Sequence, residues 1–245
     1  MIYLNTSYAI LLTFLSGSAT LLGIIPIYIK INKEKLINIT LSFTSGVLLS
    51  TSLFELLRES FTLFNKDFKK IPSIIFLLIF LNIGIIIANT ISKKINKKIN
   101  NSLYKTGIID VITIILHNIP EGIITFLSAT ANIKLGITLA ITIILHNIPE
   151  GISIAVPIYY GTKKKKAAFF YTFIASLSEP LGGILAYIFL KDLINNFILG
   201  IMLSGVCAIM INISLTETLP SALKYKNLKL TTVSCLLGLI LMLIV

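Results

Sequence analysis

Of 245 residues, 56% are hydrophobic and only 13% charged, and the mean hydropathy is +0.94. A soluble domain carries about 25% charged residues, so the composition excludes one and points to an all-α polytopic membrane protein. The formal net charge of +11 would raise nucleic acid as a partner in a soluble chain, but here the basic residues collect in alternate loops, and nucleic acid is not expected.

Eight transmembrane helices are predicted, at roughly 8–29, 36–57, 71–92, 107–132, 135–158, 167–190, 193–215 and 228–245, within one transmembrane domain over 1–245. Each approaches the ~20 apolar residues that a helix needs to cross a ~30 Å hydrocarbon core. The first, Tyr8–Ile29, has no charge; no Lys or Arg precedes it and no small-residue cleavage site stands out, so it reads as a span and not as a leader. The second ends near Glu55, and the third, Ile71–Ser92, is again free of charge.

The fourth and fifth carry the central observation. The stretch ITIILHNIPEGI occupies Ile112–Ile123 and recurs unchanged at Ile141–Ile152, 29 residues later. The repeat holds both histidines of the chain, His117 and His146. Residues i and i+4 share a helix face, so His117 points with Glu121 and His146 with Glu150. Asn118 and Asn147 lie about 100° around the same helices and flank that face. Pro120 and Pro149 each remove an i→i−4 bond and kink their helix, and freed backbone is tolerated at membrane depth where it lines a cavity. A short turn near Asn132–Lys134 makes the two copies antiparallel. The repeat is thus inverted, an arrangement that surrounds midplane sites in transporters. The sixth span adds Glu179 in ASLSEPLGG, a further carboxylate with Pro beside it and glycines after it. The seventh leads to Glu217. The eighth is short, and Lys229 would have to snorkel to let it cross. Cys207 and Cys235 fall inside spans and read as packing residues, not as a disulfide or zinc staple.

Lys30, Lys33 and Lys35, then Lys93, Lys94, Lys97, Lys98 and Lys105, then Lys163–Lys166, then Lys224, Lys226 and Lys229 fill alternate loops. The opposite side holds only Arg58, Lys66, Lys69, Lys70, Lys134 and Lys191. The positive-inside rule places the lysine-rich side in the cytoplasm and both termini outside the cell membrane.

Each ionised carboxylate at mid-membrane costs about 2.5–3.5 kcal/mol, so Glu121, Glu150 and Glu179 together cost roughly 7–10 kcal/mol. No Lys or Arg lies in the middle of a span to offset this, whereas both histidines lie beside two of the three acids. Cation binding explains both facts together. Two bridging carboxylates between two imidazoles and two amides suit a pair of divalent ions. A set without thiolate suits Zn²⁺, Fe²⁺, Mn²⁺ or Co²⁺. Of the remaining acids, Glu55 lies near the outer end of helix 2, Asp110 near the inner end of helix 4 and on the His117 face, and Glu217 near the inner end of helix 7. Metal is expected to enter past Glu55 and leave past Asp110 and Glu217.

The segments HNIPEG at 117–122 and 146–151, SLSEPLG at 176–182, FTSGVLLSTSLFELL at 43–57 and LSGVCAIMINISLTETLP at 203–220 resemble the helix signatures of the ZIP family of divalent-metal transporters, most closely its bacterial zinc-uptake branch. The resemblance covers nearly the whole chain. It implies eight helices in a 3+2+3 arrangement with an inverted repeat, both ends outside, and inward metal movement. It also implies a binuclear centre, with His117, Glu121, His146 and Glu150 at one metal and Asn118, Asn147, Glu179 and the two shared glutamates at the other. The loop KKINKKINNSLYK at Lys93–Lys105 departs from many relatives in having no His, which puts a metal-sensing loop in doubt.

Two alternatives belong to other classes. A metalloenzyme would want HExxH or Glu-x-x-His pairs, whereas this chain has His-x-x-x-Glu and no third His. A metal-gated channel or a metal sensor is compatible with the same residues. The sequence does not set the oligomeric state, and a homodimer in membrane lipid is compatible with it.

Overall fold

A computed structural model describes residues 2–190 and 195–244. Eight apolar helical rods follow one another: α1 (Thr6–Tyr28), α2 (Lys33–Asp67), α3 (Lys70–Asn96), α4 (Ser102–Ala131), α5 (Ile133–Thr162), α6 (Lys165–Ile188), α7 (Asn196–Leu223) and α8 (Leu228–Ile244). The first seven are long and apolar enough to cross a membrane, and α8 is shorter. Lys191, Asp192, the expected start of the seventh span at 193 and the last residue of the eighth lie outside the described residues.

Asparagine starts most of these rods. The side-chain oxygens of Asn32, Asn101, Asn132, Asn195 and Asn227 accept from backbone N–H groups in the first turns of α2, α4, α5, α7 and α8. Each cap satisfies an N–H that the helix itself cannot pair. Asn132 stands alone between α4 and α5, so the two repeat copies reverse direction within one residue.

The main departure from sequence expectation is α2. The predicted span closes at 57, but the helix runs on to Asp67. Ser60, Leu63 and Phe64 are buried on one face of this extension. Phe64 packs on Phe76, Phe80 and Phe197, which gives the charged segment an apolar anchor. Charge marks where a helix leaves lipid, not where the helix stops.

Small residues set the inter-helix contacts. A Cβ on Gly122 would overlap the Glu179 carbonyl of α6, and one on Gly151 would overlap the Thr20 carbonyl of α1. Gly46 and Gly238 bring α2 and α8 together as parallel neighbours, and Gly84 faces Gly205 where α3 runs parallel to α7. Exchanging α1 with α6, α2 with α7, α3 with α8 and α4 with α5 maps each of these contacts onto another. This is the inverted repeat of a 3+2+3 arrangement, with the α4–α5 pair at its centre. α1 winds as a tighter 3₁₀ helix over Thr20–Tyr28, where Gly23 meets the Gly151 backbone.

Candidate metal centre

Pro120 and Pro149 lie inside α4 and α5 without ending them. At that level the two copies face each other. His146 Nε2 lies 3.0 Å and His117 Nε2 3.1 Å from the same oxygen, Glu121 Oε1. Glu150 Oε1 stands 3.4 Å from His117 Nε2. Ligand atoms of His117, Glu121 and His146 all fall within 4.8 Å of one another, close enough to share one ion. His117, Asn118, Glu121, His146, Asn147, Glu150 and Glu179 are all buried.

The polar inventory of this centre is not closed by the protein. Glu121 Oε2, Glu150 Oε2, Asn147 Oδ1 and both amide atoms of Asn118 are buried without a protein hydrogen-bond partner. Buried polar atoms are paired in the large majority of cases, so this concentration of free oxygens marks a place where something else supplies the partner. Imidazole and carboxylate together are the donor set of a divalent transition metal.

Glu179 sits just after a break in α6 at Leu177. Asn147 Nδ2 donates to Glu179 Oε2 at 2.8 Å, which ties α6 to the second repeat copy. The other oxygen, Glu179 Oε1, accepts from Ser16 Oγ of α1. Sequence reasoning missed Ser16. The available signal was a small polar residue in mid-span with Thr20 four residues on, sharing its face.

Glu55, Asp110 and Glu217 take separate places. Glu55 lies within the π turn Thr51–Leu56 of α2, not at the end of that helix, because the helix continues to Asp67. Together with Arg58, Glu59, Thr62 and Lys66 it lines a cavity of about 1230 Å³ that reaches Glu121 from the side bearing both termini. Asp110 and Glu217 lie toward the lysine-rich side, where the helices are laced together. Thr218 Oγ1 donates to Asp110 Oδ1 at 3.2 Å, Lys105 Nζ meets Glu217 Oε2 at 3.4 Å, and Thr106 and Ser221 hydroxyls are 2.9 Å apart. Glu217 also lies in a π turn, Ser214–Thr218. SLFEL at 52–56 and SLTET at 214–218 therefore carry the same local irregularity on the symmetry-related helices α2 and α7. π turns of this kind gather at functional positions.

Comparison with known proteins places the chain among metal transporters by sequence. A family model described as ZIP Zinc transporter matches residues 88–245. A protein named Zinc transporter ZupT from Chlorobium luteolum is 34% identical across 97% of this chain and 96% of its own length. The protein of that name from Streptococcus mutans is 34% identical across 96% of this chain and 94% of its own. One from Clostridium perfringens is 47% identical over 141 residues, which span 58% of this chain and half of that relative.

Proposed function

The chain belongs to the ZIP family, and on that premise we propose that it carries Zn²⁺ across the cell membrane into the cytoplasm through the centre between α4 and α5. The observation that carries the reading is the convergence of His117 and His146 on Glu121, with Glu150 beside His117, in a buried setting with no Lys or Arg among its contacts. Such a set attracts cations, protons included, and a divalent ion held by these ligands offsets the burial of their carboxylates.

In this reading two ions bind. His117, His146, Glu121 and Glu150 hold one; Asn118, Asn147 and Glu179 hold the second together with the free oxygens of the two glutamates. The donor set is hard and permissive, so Fe²⁺, Mn²⁺ and Co²⁺ are carried as well. The positive-inside rule puts the cavity beside Glu55 outside the cell and the laced ends of α4 and α7 inside. The conformation described here is then open outward. Metal enters past Glu55 and Glu121 and leaves past Asp110 and Glu217 once the contacts of Lys105 and Thr218 part. The bare apolar face of α3, with Ile75, Ile79 and Ile86, suits lipid or a second copy in a homodimer. The family and the relatives named as zinc transporters support transport, not catalysis.

The test is uptake of radioactive Zn²⁺, Fe²⁺ and Mn²⁺ by the purified protein in vesicles of set pH and potential. Saturable Zn²⁺ uptake that Glu121→Gln abolishes is the expected result. Absence of uptake with metal still bound would instead favour a sensor.

A further inference from the structure

We infer that Ser16 of α1 is a positioning residue for the second metal position: it sets the orientation of both Asn147 and Glu179. This deepens the two-ion reading above and rests on it.

The argument begins with the Asn147 amide. Its Nδ2 lies 2.9 Å from the Ser16 backbone oxygen and 2.8 Å from Glu179 Oε2. A backbone carbonyl only accepts, so the atom facing it is the amide nitrogen, and the choice between nitrogen and oxygen is fixed by chemistry. Both protons of Nδ2 are thereby committed. The oxygen, Oδ1, turns the other way, where it is buried and has no protein partner. Oxygen is the only atom of an amide that ligates a metal, and this contact leaves it free to do so. Asn118, at the matching place in the other repeat copy, has no such anchor: both its amide atoms are unpartnered.

The Ser16 side chain acts on Glu179. Its hydroxyl reaches Glu179 Oε1 and also lies 2.8 Å from the Leu12 carbonyl. It has one proton. When Glu179 is ionised, as a metal ligand must be, donation to a carboxylate outweighs donation to a carbonyl already paired along the helix. Glu179 then has one oxygen held by Ser16 and the other by Asn147, and one rotamer serves both. Ser16 is itself fully buried, and Gly17 beside it lets α1 close onto Pro180 and the Ser176 backbone. Asn147 and Glu179 lie 131 and 163 positions along the chain from Ser16.

Partners that orient a metal ligand are worth about 10–100-fold in metal affinity. The test is a Zn²⁺ titration of the full-length protein in detergent, with Glu179→Ala marking which binding step uses the α6 carboxylate. Ser16→Ala should weaken that same step about tenfold and leave the other step unchanged. Ser16→Thr, which keeps the hydroxyl, should restore it. Uptake by the same variants in vesicles should show a raised KM with the maximal rate retained. If Ser16→Ala leaves both steps as they are, or weakens both equally, or if Ser16→Thr behaves like Ser16→Ala, the positioning role is wrong. Wild-type protein that binds a single ion would overturn the two-ion reading itself, and this assignment with it.

Discussion

Replacing Glu121 by Gln keeps the volume of the side chain and removes its charge. The oxygen lost as an anion is the one that both imidazoles approach, at 3.0 and 3.1 Å, and its side chain is 6% exposed. Little solvent is available there to replace it. Removing one partner from such a buried charged set costs about 3–5 kcal/mol. At 1.4 kcal/mol per tenfold, the lower figure alone weakens metal binding roughly 100-fold. Asn118 offers a neutral amide with no anchoring bond, and losing one neutral contact costs about 1 kcal/mol, or roughly fivefold. Zn²⁺ titration and vesicle uptake on both variants, with thermal unfolding to verify the fold, should separate them by more than a factor of ten. Equal and mild losses in well-folded Glu121→Gln and Asn118→Ala would refute the placement of Glu121 at the heart of the centre.

Acid should inhibit. A ligating imidazole must be neutral, so protons compete with metal and the Zn²⁺ affinity should fall as pH drops; a flat profile argues against His117 and His146 as ligands. Gly122→Ala and Gly151→Ala put a Cβ into the Glu179 and Thr20 carbonyls and should each destabilise the fold by about 1–3 kcal/mol, read as a lowered unfolding temperature. Single cysteines at 55 and 110, in a background with Cys207 and Cys235 replaced, should label unequally with a water-soluble thiol reagent. Position 55 should be fast and 110 slow in the conformation described here, and added metal should shift the balance. Fast labelling at both under every condition would mean a continuous pore and a channel.

The sequence by itself determined the local part of this centre. A period of 3.6 residues places His117 with Glu121 and His146 with Glu150 on one face, and the short turn at Asn132 forces the two copies to oppose each other. Eight apolar runs and the lysine asymmetry came from the same one-dimensional pattern, because lipid selects composition span by span. The tertiary structure decided what no local period encodes. It carried α2 to Asp67 on the buried Leu63 and Phe64, which moved Glu55 from a helix end to the wall of the cavity above Glu121. It paired α2 with α8 through Gly46 and Gly238 and α3 with α7 through Gly84, since close approach depends on where a glycine meets the backbone of another helix. It also brought Ser16 to Asn147 and Glu179. A serine in an apolar span looks the same whether it bonds its own helix or a ligand from another, and only the approach of α1 to α5 and α6 tells the two apart.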